Sequence, residues 1–283
     1  MIGPKEIHSI RNRAGEPKEL DNVMQQAEIF LLTQSGLFLL VFARIAGTLL
    51  PLPIFGAKTV PRKVRFATAA VLALVVMPTL DTGGAIPAGA LAFGAAVVLE
   101  FALGWGAGLL VALVFAALAM LGDLISRLGG FSVASSFDPA LGESVPALTP
   151  FLTTLGVVVF LLVGGLESFT AGVMESFARF VPGSAPNAEQ ALALLLETVQ
   201  SATSLALRMA VPFMIASLTV WLTAGLLGRF ALGASAMSAG FSANTLLALS
   251  ILNLSLAGIL LAFAGELPAA FQAFRTFFEP FGG

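Results

Sequence analysis

The stretch Gly129-Gly-Phe-Ser-Val-Ala-Ser-Ser-Phe-Asp-Pro-Ala-Leu-Gly-Glu-Ser-Val145 interrupts a chain that is otherwise almost continuously apolar. Gly129 and Gly130, followed by Pro139, Gly142 and Pro146, are residues that break helices and permit turns. Residues 129–146 therefore read as one long non-helical loop between two apolar halves. Irregular backbone carries polar groups that a helix would satisfy internally, so a loop of this length inside an apolar body is expected to have a task. It combines small residues with Phe131 and Phe137 and holds two charges, Asp138 and Glu143. That composition suits the lining or obstruction of a narrow passage.

The whole chain supports a membrane setting for this loop. Of 283 residues, 58% are hydrophobic and 11% charged, whereas about a quarter of a soluble domain is charged. The net charge of −2 is the opposite of a nucleic-acid footprint. Without cysteine there are no disulfides, thiolate nucleophiles or cysteine-ligated metals. The single histidine, His8, lies in a polar leader without acidic company and reads as a solvated side chain.

Working outward on the N-terminal side, residues 1–28 mix charges of both signs with Gly and Pro and read as a flexible polar arm, with a short helix at 23–28. The arm lacks the apolar core and cleavage pattern of an ordinary signal peptide. Residues 29–128 then form helical hairpins. A first apolar segment, 29–50, is long enough for a bilayer core of roughly 30 Å and contains Arg44; Pro51 and Pro53 end it. The next connection concentrates Lys58, Arg62, Lys63 and Arg65 without an acid. The positive-inside rule turns that loop to the cytoplasm. Residues 66–80 run back uncharged, and 86–122 carry only Glu100. The latter run exceeds a bilayer as one helix, so either it bends at Gly104, Gly106 and Gly108 or it projects beyond the membrane.

On the C-terminal side, residues 147–230 hold an uncharged segment, 147–166, and a more mixed continuation to Arg179. A break at 182–186 follows, then a helix opened by Asn187 as a cap, with Glu197 and Arg208 along it. Residues 231–283 complete the chain. The uncharged run 230–265 is expected to fold back at Gly233, Gly240 and Asn244, and Arg275 and Glu279 form an i, i+4 pair in the tail. With about six apolar segments and neither strand alternation nor a repeat, the fold class is an all-α membrane protein.

The chemistry is sparse. There is no phosphate-binding Gly-rich loop with Lys and Ser/Thr, no base for a serine nucleophile and no intramembrane pair of carboxylates, so the chain reads as a non-enzyme without a cofactor. Three ionisable groups inside apolar runs, Arg44, Glu100 and Arg208, are either part of an ion or proton pathway or simply paired within the protein or with a partner. Small residues at Gly104-Trp-Gly-Ala-Gly108, Gly164-Gly165 and 231–243 favour close helix packing.

Four stretches carry a family resemblance: Ala43-Arg-Ile-Ala-Gly with Pro51-Leu-Pro-Ile-Phe and Val60-Pro-Arg-Lys-Val-Arg65; Glu100 with Gly104 and Gly108; Gly122-Asp-Leu-Ile-Ser with Gly130-Phe-Ser, Phe137-Asp-Pro139 and Val145-Pro146; and Gly164-Gly165 with Glu175-Ser-Phe177 and Val181-Pro182-Gly183. On these the chain resembles the FliR family, an export-gate subunit of bacterial flagellar and related type III secretion systems. The resemblance implies long helical hairpins, FliP-like over 29–128 and FliQ-like over 231–283. It implies one such subunit per gate in the bacterial inner membrane, within the basal body of the apparatus and its surrounding ring. FliP-like and FliQ-like membrane subunits and an FlhB-like switch protein would be its partners, and unfolded export substrates would pass through. It also implies that the central loop plugs the closed pore through Gly129, Gly130, Phe131, Ser132, Val133, Ser135, Ser136 and Phe137, with Asp138 and Pro139 fixing its turn. Leu166-Glu167 stands where many members have a histidine, so no histidine-dependent role transfers. Flagellum and injectisome stay open, as do two rivals: a six-segment secondary transporter using Glu100 and Arg208, and a passive assembly scaffold.

Overall fold

The computed structural model describes residues 17–55, 60–80, 89–129, 148–183, 188–230 and 234–278. They form seven α-helices: α1 (Pro17–Leu49), α2 (Arg62–Val76), α3 (Ala90–Leu128), α4 (Leu148–Leu162), α5 (Gly165–Arg179), α6 (Ala188–Phe230) and α7 (Ala234–Thr276). Short 3-10 turns follow α1 and α2, and no β-strand occurs among the described residues.

Local sequence accounts for most boundaries. α1 stops at Leu49, ahead of Pro51 and Pro53. α2 starts directly after Pro61, which cannot donate a backbone N–H. α4 and α5 are separated at Gly164, whose φ of +77° is left-handed and favours glycine. The two helices meet there at 71°, a bend that a lone apolar run does not reveal.

α3 is the axis of the molecule. α1, α4, α6 and α7 all pack on it, and 56% of its most apolar window is buried, against 33% for α6 and 22% for α7. Its contact with α1 is backbone on backbone: a Cβ on Gly104 would collide with the Arg44 carbonyl, one on Gly108 with the Thr48 carbonyl, and one on Gly47 with the Phe101 carbonyl. Membrane helices gain little from excluding lipid, so this close approach of surfaces is the main source of their association. Further along, phenylalanines from three helices fill the space around α3. Phe115 meets Phe160 at 5.5 Å and Phe263 at 5.1 Å between ring centroids.

Two expectations change and one open alternative is decided. α1 begins at Pro17, well inside the segment read as a flexible arm; Pro at the first helical position and the following Glu, Leu, Met and Gln favour that start. α3 runs without a break through Gly104, Gly106 and Gly108, so at 39 residues it spans roughly 58 Å and projects beyond a bilayer core. α7 is also unbroken through Gly240 and Asn244. Of the three expected points only Gly233 falls in the gap between α6 and α7, which pack on each other as a hairpin; the run beyond it stays helical because alanines are strong helix formers and one glycine is tolerated. Arg275 pairs with Glu175 on α5, 3.3 Å away; Glu279 and the cap residue Asn187 lie outside the described residues. Three helices are long and apolar enough to cross a membrane, or four if the bent α4–α5 pair is one span.

The glycine contacts make a direct prediction. Gly104→Ala forces α1 and α3 apart and should destabilise the purified protein by about 3 kcal/mol or more. Gly258→Ala, where a Cβ meets nothing within 4 Å, should be neutral or gain up to ~1 kcal/mol of helix propensity. Thermal or denaturant unfolding in detergent reads both. Equal stabilities would remove the close-packed crossing as a constraint.

Candidate functional site

Arg44 sits in the middle of the apolar half of α1 and is completely buried, as is Glu100 on α3. A charge left alone at the centre of a bilayer costs roughly 2.5–3.5 kcal/mol even on lenient insertion scales, so each needs partners. They are each other's: Arg44 Nε donates to Glu100 Oε2 at 2.6 Å and Nη2 to Oε1 at 3.0 Å. This two-pronged geometry is available to a guanidinium and not to an ammonium.

The pair reaches further than two helices. Arg44 Nη1 donates to the Ser176 carbonyl at 3.2 Å and the Phe180 carbonyl at 2.9 Å. Those carbonyls belong to the C-terminal end of α5, where the dipole favours a cation; the Ser176 carbonyl also accepts the Phe180 N–H at 3.0 Å, and Phe180 lies just past the last helical residue. Glu100 Oε1 in turn accepts from the Gly183 N–H at 2.7 Å, in a turn where Gly183 has φ +91°. The guanidinium carbon lies 4.5 Å from the Phe177 ring centroid and 5.6 Å from those of Phe180 and Phe278, close enough for cation–π attraction. One buried cation thus joins α1, α3, the end of α5 and the segment just after α7.

A second set of polar contacts lies at the C-terminal end of α3. Asn244 of α7 donates through Nδ2 to the Leu128 carbonyl, and Thr245 Oγ1 donates to the Gly129 carbonyl at 2.7 Å. Leu148 N, at the start of α4, donates to Ser126 Oγ at 3.4 Å, and Gly122 lies directly against Thr149. Residues 130–147 therefore leave and re-enter the described structure at one place.

The other residues singled out from sequence fall as follows. Gly129 is buried and closes α3; Gly130, Phe131, Ser132, Val133, Ser135, Ser136, Phe137, Asp138 and Pro139 lie outside the described residues. Lys58 does too. Arg62 and Lys63 are exposed at the start of α2, and Arg65 is half-buried with a buried Nε that finds no hydrogen-bond partner among the described residues. Arg208 is exposed on α6 rather than buried, and lines a cleft with Glu197 and Glu266. It shares no contact with Glu100. Sequence reasoning did not single out Ser176, Phe180, Gly183, Ser126 or Thr245 as site residues, since most act through backbone groups that leave no side-chain signature. Among the described residues no three His, Cys, Asp or Glu side chains gather as a metal site would need.

Comparison with known proteins places this arrangement. The family described as "Bacterial export proteins, family 1" matches residues 35–269. The chain belongs to that family. Among relatives of this bacterial export protein, the flagellar biosynthetic protein FliR of Caulobacter vibrioides is 31% identical over 78% of the chain and 88% of its own length. FliR of Aquifex aeolicus is 27% identical over 90% of the chain and 97% of its own length. The surface presentation of antigens protein SpaR of Salmonella typhimurium is 28% identical, covering 77% and 82% respectively. Three of the four stretches that carry the FliR resemblance in sequence supply Arg44, Glu100 and the 175–183 segment, and they converge on the buried pair.

Breaking the pair from one side should be worse than removing it. Arg44→Met and Glu100→Leu should each cost about 3–5 kcal/mol, while the double variant should cost less than either one alone, because it leaves no uncompensated buried charge. Arg44→Lys should recover little, because one ammonium cannot serve two carboxylate oxygens and two carbonyls at once. Accumulation in the membrane and unfolding in detergent give the cycle; strictly additive losses would refute the coupling.

Proposed function

We propose that this chain is a non-enzymatic component of a flagellar or related type III export apparatus in the bacterial inner membrane. There it forms part of the channel for unfolded export substrates, with the loop over residues 129–146 closing the path at rest. Its partners on this reading are FliP-like and FliQ-like membrane subunits and an FlhB-like protein. Membership of the export family and relatives named as flagellar biosynthetic proteins support the apparatus; SpaR keeps the injectisome within range.

The observation that carries the plug is the fastening of the two ends of the loop. Eighteen residues, 130–147, begin and end at the same buried junction of α3, α4 and α7, held by Asn244, Thr245 and Ser126. A loop fixed at both ends can change its course without disturbing the helices, as a closure element must. The transporter alternative loses its motive: Glu100 is committed to Arg44 and Gly183 in a dry interior, and Arg208 belongs to a different cleft.

Replacing residues 130–147 with a short Gly/Ser linker tests this directly. The shortened chain should still accumulate in the membrane, since its anchors are intact, and ion conductance through cells assembling the apparatus should rise severalfold. Unchanged leakage with normal assembly would leave the chain a scaffold without a plug.

A further inference from the structure

Most of the outer face of the α6–α7 hairpin is apolar and uncovered: Leu196 is 61% exposed, Ile215 and Leu218 62%, and Leu254 84%. One stripe on it is polar. Glu197, Ser201, Ser204 and Arg208 follow one another at helical spacing along α6, and with Glu266 of α7 they line a cleft of about 360 Å³ between the two helices. Among the described residues, no hydrogen bond or ion pair engages Glu197, Arg208 or Glu266. Pro212 adds to the stripe: it lies inside α6, and having no N–H it leaves the carbonyl four residues earlier, that of Arg208, without its helical donor.

Three facts narrow what meets this stripe. One flank is largely apolar, with Leu196, Leu207 and Val211 exposed beside the polar Gln200, which also lines the cleft, so the stripe borders a surface suited more to a dry environment than to water. Lipid tails cannot satisfy two carboxylates, a guanidinium and a free carbonyl. Two acids facing one cleft without a bonded cation favour a positive group from outside.

We propose that the stripe receives a membrane helix of a different subunit. That helix carries a lysine or arginine opposite Glu197 and Glu266 and an acidic residue opposite Arg208, about 16 Å or three turns along it. The charges fix the partner's register, and the apolar flanks supply the contact area. This rests on the reading of the chain as one subunit of a hetero-oligomeric export gate, and specifies the chemistry of one neighbour.

The test places a photo-crosslinking benzoyl-phenylalanine at Ser204 of the full chain in cells that assemble the apparatus, and identifies the attached peptide by mass spectrometry. The expected product is a membrane helix of another protein with a basic residue within one turn of the crosslink. Glu197→Lys, an exposed change that leaves the fold intact, should lower the yield about tenfold, the equivalent of ~1.4 kcal/mol. Reversing that basic residue to Glu in the partner should restore it. Crosslinking only to a second copy of this chain or to lipid would overturn the proposal. So would an unaltered yield in Glu197→Lys, or rapid labelling of Ser204→Cys by a charged, membrane-impermeant maleimide in the assembled complex. If the complex still co-purifies in those cases, the gate reading survives and only the stripe's role fails; if the unaltered chain forms no complex with other membrane subunits, both fail.

Discussion

The Arg44–Glu100 pair is the constraint on which the arrangement of this molecule depends. A guanidinium placed in the interior of an apolar bundle has to find acceptors for its donors, and the protein supplies them from a carboxylate on α3 and two carbonyls at the end of α5. Satisfying Arg44 therefore fixes the relative positions of segments far apart in sequence. Residues 44 and 100 are joined past the intervening α2, and 176–183 are drawn in across the α4–α5 bend. Replacing such a pair with apolar side chains is often tolerated in stability, so its value here is in specifying a single arrangement among many similar apolar helices.

Around that pair the packing is made from extremes of side-chain size. Glycines at 47, 104 and 108 bring α1 and α3 into backbone contact beside the ion pair, which keeps lipid and water from it and strengthens its electrostatics. Elsewhere phenylalanines fill the wider gaps. Gly156 accepts Leu118 and Phe263, Gly172 accepts Phe274, and Gly106 faces Phe277. Each glycine is a socket for a large group on the opposing helix, so a chain of limited alphabet achieves complementary surfaces without polar interlocking.

The α1–α3 crossing is well covered by the chain's own residues, although the outer faces of α3, α4 and α5 also expose apolar side chains such as Val98 and Leu162. The α6–α7 hairpin is covered least. Its two helices have the least buried apolar windows of the three long spans, carry internal prolines at Pro212 and Pro268, and present both bare leucines and an unpaired polar stripe. The α1–α3 crossing, in contrast, is completed within the chain.

Sequence alone determined the class and the composition of the parts. Apolar runs longer than a bilayer and charges too few for a soluble surface established an all-helical membrane chain, and glycine and proline punctuation marked residues 129–146 as an interruption of its apolar pattern. These properties depend on local spacing and hydropathy, which are written residue by residue. It also exposed Arg44 and Glu100 as anomalies, because a charge in an apolar run is conspicuous wherever it sits. What it could not settle was whether they were paired or functional, nor that Arg208 differs from them: burial depends on which face of α6 meets α3, and that is a property of the assembled bundle. Similarly, the α3 glycines, open in sequence between a bend and close packing, are packing sockets, and Gly240 in α7 is a tolerated helix position, since glycine signals either a turn or a close approach and only the neighbouring helix decides which. The contacts of Asn244, Thr245 and Ser126 with Leu128, Gly129 and Leu148 were likewise invisible, because they join side chains to backbone carbonyls and an amide, across more than a hundred residues of chain in the case of α7, and no local pattern encodes such a meeting.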